Sequence, residues 1–213
     1  MIMAGTVGTG KTVVIIEMIR AVGPEKFKLL APTGNAACGI EGQTLHSGLR
    51  IPVKKRAGAG ADGSAIKSGA LKDLQERFEG VEYMLVDEMS MVGQDLLGLM
   101  SIRGRQAVAG RTPDGNNGRE RGLFGGLSVI LVGDPMQLPP VGAVPMWSDR
   151  PGTAGHSVEG RAAWLGLNAV VELTEVMRQV GDAQAAFRRA LIAVAEGRAQ
   201  QEHFDLFRTR MRS

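Results

Sequence analysis

The run GTVGTGKT at Gly5–Thr12 sets glycines at 5, 8 and 10 ahead of a lysine and a threonine. Glycines at this spacing let successive backbone N–H groups curl around phosphate oxygens, and the run fits the G-x-x-x-x-G-K-[ST] pattern of a phosphate loop. The predicted cradle for ATP comprises Gly5, Thr6, Gly8, Thr9, Gly10, Lys11 and Thr12. Lys11 supplies charge to the terminal phosphates, and the Thr12 hydroxyl is assigned to Mg²⁺. The helix expected after Gly10 points the positive end of its dipole at the same anion. The alternative is a glycine turn that binds nothing.

A site that hydrolyses ATP also needs a carboxylate on the metal side and a base for water. EYMLVDEMS supplies both: Asp87 follows the apolar run Met84–Val86 and is assigned to Mg²⁺ or its water shell, and Glu88 is assigned to the attacking water. An adjacent Asp-Glu pair at a strand end fits a hydrolase better than a kinase, although alone it is an ordinary solvated pair. A further apolar run ends in VILVGDPMQLPPVG, which brings Asp134 and Gln137 to the edge where Lys11 and Asp87 stand. A glutamine there can sense the γ-phosphate because its amide both donates and accepts, while Pro139 and Pro140 stiffen the segment behind it.

These residues must be positioned by strands ending on one edge. Short β-rich runs occur at Met1–Ala4, Phe27–Ala31, Glu82–Val86, Ser128–Val132 and Ala169–Leu173, each separated by enough chain for a crossover helix. The spacing predicts an α/β fold with a mainly parallel sheet and helices on both faces. Val92, Leu96, Leu99 and Ile102 make one apolar helical stripe, and Phe187, Ala190, Leu191 and Val194 make another. The helix after Gly10 carries Val13, Val14, Ile15, Ile16, Met18 and Ile19, apolar nearly all round, which predicts burial against the sheet and a neighbour. Residues 51–68, 110–122 and 148–160 read as loops or surface insertions, and the tail ends in alternating arginines at 208, 210 and 212.

Composition narrows the class without choosing within it. With 44% hydrophobic and 22% charged residues over 213 positions, the chain suits a globular domain with a real core, not a coiled coil or a disordered tail. A net charge of +3 permits nucleic-acid contact but does not argue for it. The single cysteine, Cys38, excludes an internal disulfide framework, fits a reducing compartment, and reads as a small buried apolar residue. No apolar run approaches the roughly 20 residues of a membrane span, so an intracellular protein with no membrane contact is expected.

The motifs together resemble those of the Pif-type (petite integration frequency), RecD-like DNA helicases of superfamily one. Beyond the phosphate loop, LLAPTGNAACGIEGQTLHS at Leu29–Ser47, VDEMSMVG at Val86–Gly93, FGGLSVILVGDPMQLPPV at Phe124–Val141 and LTEVMRQ at Leu173–Gln179 follow that family's order. The resemblance implies a P-loop, RecA-like lobe spanning 1–213, clipped at its N-terminus, with a possible small insertion at 48–76 and no second lobe. It implies that Pro32, Thr33, Gly34, His46 and Ser47 line a path for single-stranded or forked DNA, and that Gln137 and Arg178 face the γ-phosphate. It further implies work in DNA repair, recombination and telomere maintenance, in the nucleus or mitochondrion if the source is eukaryotic.

The basic cluster Arg50, Lys54, Lys55 and Arg56 falls where the family inserts a wedge-bearing subdomain, but here it is equally readable as a solvated loop. His46 is equally readable as a packed histidine, and Tyr83, Trp147 and Trp164, in a chain poor in aromatics, are read as core or loop packing in preference to base stacking. The family's upstream glutamine segment is not in the sequence, and Val7 stands where a smaller residue is usual. On this reading the isolated chain binds Mg·ATP weakly, hydrolyses it slowly and does not unwind DNA, because the second lobe and its arginine are missing. Two other readings stay open: a single-lobe ATPase that regulates without translocating, and a DNA-binding relic indifferent to Lys11.

Overall fold

The computed structural model describes residues 1–6, 8–52, 65–109, 122–153, 155–177 and 184–210, the last without its side chain. Six strands form one sheet: β1 (Ile2–Gly5), β2 (Phe27–Ala31), β3 (Gln43–Thr44), β4 (Tyr83–Val86), β5 (Ser128–Gly133) and β6 (Val170–Leu173), in the order β3-β2-β4-β5-β1-β6. All five pairings are parallel. Parallel pairing requires crossovers, and among the described residues these carry six α-helices, α1 (Lys11–Val22), α2 (Gly34–Gly39), α3 (Leu45–Gly48), α4 (Ser68–Arg77), α5 (Gln94–Val108) and α6 (Ser157–Leu165), while α7 (Ala185–Ala195) and α8 (Gln201–Arg210) follow β6.

Strand alternation divides the core. Met84, Val86, Val129 and Leu131 point to the face packed with Leu74, Phe78, Leu97 and Met100 of and around α4 and α5. Leu85, Ile130 and Val132 point to the opposite face, with Met3, Phe27, Ile15 of α1 and Ile40 just after α2. Each fully buried aliphatic side chain contributes about 1.5–3 kcal/mol, so the central strands β4 and β5 are the most firmly held.

The five anticipated strands are present, and β3, two residues long, is an addition that no apolar run announces. Burial of α1 all round is not observed. Ile15 is fully buried and Met18 and Ile19 pack partly on the sheet, but Val13 is 62% and Ile16 45% exposed. The helix packs through one stripe, and among the described residues its outer flank stays open. β6 shares this openness, with Val170 67% exposed, and among the described residues it is an edge strand that pairs with β1 alone. In α5 the buried set is wider than the expected stripe and takes in Leu97, Met100, Ser101 and Arg103, whereas Leu96 and Ile102 are half-buried. In α7 the buried positions are Ala190 and Ala193, and Val194 is exposed. α8 was not anticipated from the arginine-rich tail; Phe207 on it meets Phe187 of α7 edge-on, at 5.7 Å between ring centroids.

Of the stretch 48–76, residues 53–64 lie outside the described residues, and with them Lys54, Lys55 and Arg56. On either side of that gap Leu49, Ile51 and Leu74 are buried in the core. The roots are tied down. Arg103 of α5, 1% exposed, donates to Arg50 O at 3.5 Å, Ala65 O at 3.2 Å and Gln106 Oε1 at 2.5 Å.

Candidate active site

Because every strand runs the same way, all carboxyl ends lie along one edge, where ligands of such sheets bind. β1 delivers Gly5 and the loop there, β4 delivers Asp87, and β5 delivers Asp134. Register aligns Ala4 with Gly133 and Val86 with Leu131. Only β5 separates the strand feeding the loop from the one ending in Asp87, so roughly 10 Å lies between them, two ladder spacings. That gap accommodates a terminal phosphate with a hydrated cation.

The loop is shaped by its glycines. Gly8 and Gly10 adopt φ of 88° and 82°, a conformation open mainly to glycine, and Gly10 then caps α1. Thr9 is buried, and its Oγ1 donates to Thr6 O at 2.9 Å, closing the turn from within. Lys11 Nζ donates to Gly5 O at 2.7 Å and Thr6 O at 3.1 Å. The ammonium therefore lies inside the curl of the loop, where an anion would compete with those carbonyls. Thr12 is exposed at the start of α1.

Asp87 and Glu88 are half-buried. The Glu88 N–H donates to Asp87 Oδ1 at 2.9 Å, and Glu88 itself has a φ of 54°. That left-handed turn is unusual for a glutamate, and strain of this kind persists where surrounding structure fixes it. Burial pushes the Asp87 carboxyl up, opposed by the Glu88 amide and by Lys11. Burial also raises Glu88, reinforced by the Asp87 charge and more weakly by Asp134, with Lys11 opposing. Asp87 and Glu88 thus stand within reach of one ammonium, a surplus of negative charge suited to a divalent cation. Among the described residues no three acidic, histidine or cysteine side chains gather into a metal cage. Mg²⁺ needs none, since it keeps several waters and takes one or two protein oxygens beside those of phosphate.

Asp134 is 4% exposed and accepts from Met136 N at 3.0 Å through Oδ1, while its main-chain oxygen accepts from Gln137 N at 3.0 Å. Gln137 is half-buried at the turn so formed. Arg178 lies outside the described residues. The backbone just before it is fastened to the loop, with Met177 N donating to Gly8 O at 2.8 Å. No sequence pattern announces that link, which brings the segment after β6 to the phosphate loop.

The residues assigned to DNA lie farther along the same edge. Pro32 and Thr33 follow β2, and Thr33 Oγ1 accepts from Ala36 N at 3.3 Å, capping α2 at Gly34. Thr44 caps α3 in the same way, accepting from Ser47 N at 3.3 Å, which sets His46 half-buried and Ser47 exposed. Cys38, read as buried, is exposed on α2. The aromatics pack among themselves: Phe27 stacks on Tyr83 at 4.9 Å, and Trp147 meets Trp164 at 6.4 Å. A cleft of about 710 Å³ between α7 and α8 is lined by none of the phosphate-site residues.

Comparison with known proteins gives the family. The ATP-dependent DNA helicase PIF1 of Saccharomyces cerevisiae is 33% identical over 182 residues, covering 84% of this chain and 19% of the yeast protein. The chain therefore spans about a fifth of that relative's length. The crystal structure of Pif1 helicase from Candida albicans matches with a TM-score of 0.65 and 26% identity, covering 95% of this chain and 42% of that one. A Bacteroides Pif1 helicase in complex with ADP-AlF3 and single-stranded DNA matches with a TM-score of 0.63 and 26% identity, over 96% of this chain and 44% of that one. Since the model of PIF1-like helicases also matches residues 1–204, the chain belongs to the PIF1-like helicase family.

Proposed function

We propose that this chain is the ATP-binding, RecA-like lobe of an ATP-dependent DNA helicase, working with a second lobe of a longer protein. The carrying observation is the meeting of the phosphate loop and the Asp87–Glu88 turn across one intervening strand, with Lys11 lying among loop carbonyls and carboxylates. Gly5, Thr6, Gly8, Thr9 and Gly10 form the cradle, and Lys11 exchanges its two carbonyl partners for phosphate oxygens. Thr12 and Asp87 hold Mg²⁺, which when bound supplies charge to neutralise the phosphates. Glu88, its carboxyl raised by burial, takes the proton of the attacking water. Gln137 reads the γ-phosphate, and Arg178 joins it there.

Pro32, Thr33, Gly34, His46 and Ser47 line the DNA path. From β1 to β2 is three ladder spacings, roughly 14 Å, so nucleotide and DNA occupy neighbouring stretches of one rigid edge. Coupling them requires the second lobe, for which the relatives' greater length leaves room. The 48–76 stretch is the counterpart of the family's small insertion. The test is ATP turnover with and without single-stranded DNA. Stimulation of several-fold is expected, and Lys11→Ala should abolish turnover. Turnover that depends on Lys11 but ignores DNA would point instead to an ATPase without translocation.

A further inference from the structure

The carboxylate of Asp134 is almost completely withdrawn from water, yet nothing in the hydrolytic scheme above uses it. Its environment is specific. One side-chain oxygen takes the Met136 N–H at 3.0 Å and its own carbonyl takes the Gln137 N–H at 3.0 Å, so a single residue closes the turn that carries Gln137. A short polar side chain bonded to the backbone two residues on is the device that fixes such turns. On its other side the turn is wedged against the hydrolytic pair. Gly133, just before it, has no room for a Cβ, which would stand 2.9 Å from Met89 N. Met89 directly follows Glu88, so the end of β5 and the Asp87–Glu88 turn are in backbone contact.

We propose that Asp134 is the positioning residue for Gln137, and that the acceptor geometry of its side chain, more than its charge, holds the amide in register with the γ-phosphate. The inference rests on the reading of Gln137 as the γ-phosphate contact. It predicts that Asp134 matters for telling ATP from ADP and not for holding the diphosphate, which the loop holds by itself.

The test is the ratio of affinities of the full 213-residue chain for a non-hydrolysable Mg·ATP analogue and for Mg·ADP, measured by competition with a fluorescent ADP. Gln137→Ala should reduce the preference for the triphosphate by about 10- to 100-fold, the worth of one hydrogen bond to a charged group. Asp134→Ala should reduce it comparably, with ADP affinity unchanged within about twofold on the same scale of effects. Asp134→Asn, which keeps the acceptor, should restore most of the preference. In the Gln137→Ala background, Asp134→Ala should cause no further loss, because two residues acting through one contact are not additive. If Asp134→Ala does not fold, the same cycle is run with Asp134→Ser, and whatever loss it shows must vanish in that background.

A loss that multiplies with that of Gln137→Ala, or an Asp134→Asn variant as poor as Asp134→Ala, overturns the proposal. So does an Asp134→Ala protein that keeps its full triphosphate preference while Gln137→Ala loses it. Failure to bind Mg·ADP at all would instead overturn the assignment of the phosphate loop, and a silent Gln137→Ala would overturn the sensor role on which the proposal depends.

Discussion

Gly98 and Gly69 both lie within helices, and alanine at each should act in opposite directions. At Gly98 in α5 a Cβ would stand 1.9 Å from His156 O and 3.0 Å from Gly160 N, both backbone atoms at the start of α6. Neither can swing aside as a side chain would, so α5 and α6 must separate by about 1.5 Å to regain ordinary contact at 3.4 Å. Overpacking of this kind costs about 1–3 kcal/mol. The same displacement pulls on Gln94, one turn earlier, which is fully buried. Its Nε2 donates to Ser148 O at 2.8 Å and Arg150 O at 3.1 Å, and its Oε1 accepts from Gly152 N at 2.8 Å. Loosening those bonds brings the total for Gly98→Ala to about 3 kcal/mol. At this chain length that lowers Tm by about 6–12 °C in a two-state transition. Gly69, near the start of α4, has open space around its missing Cβ, so Gly69→Ala should gain about 0.5 kcal/mol and melt slightly higher. Thermal melting followed by circular dichroism measures both. A Gly98→Ala protein that melts within about a degree of the parent would refute the backbone contact between α5 and α6.

Other consequences are open to simpler assays. Glu88→Gln should slow ATP hydrolysis by about 10²–10⁴-fold while Mg·nucleotide still binds, as single-turnover kinetics and equilibrium titration would show. Arg103→Met should cost about 3 kcal/mol in urea unfolding, because it strips buried donors from the Arg50 and Ala65 carbonyls; a change below about 1 kcal/mol would contradict that role. Asp73 accepts from Arg50 at 2.6 Å and Arg77 at 2.8 Å, and the Arg50 hydrogen bond leads in holding its carboxyl down at about 2. Its folded value lies below its unfolded one, so its stabilisation is present above about pH 4 and is lost as the pH falls toward 2. Asp73→Asn should therefore lose less stability than the parent over that interval, a difference that salt diminishes.

The strands were legible because each is a short apolar run bounded by breakers, and the phosphate loop because its glycine spacing is specific. What covers an element was less legible. Periodicity identifies α1 as apolar all round but cannot say whether anything lies against Val13 and Ile16. β3 is two residues long and leaves no hydrophobic signature; its trace is Thr44, which caps the helix that follows, as Thr33 caps α2. Gln94 and Arg103 look like surface residues in a helical stripe and are buried because loops bring carbonyls to them. Within the site, Asp87, Glu88, Asp134 and Gln137 were placed on one edge by strand ends alone. The fastening of Met177 to Gly8 depends on chain path after β6, which no local pattern encodes.

Titration of Mg·ADP into the folded 213-residue chain by calorimetry, beside Lys11→Ala, bears most directly on all of this. The parent should take up one nucleotide per chain, and the variant, folded to the same extent, should take up none at matched concentrations. Equal uptake by both proteins, or none by the well-folded parent, would contradict the central claim that the amides of the glycine loop and the Lys11 ammonium together hold the phosphates.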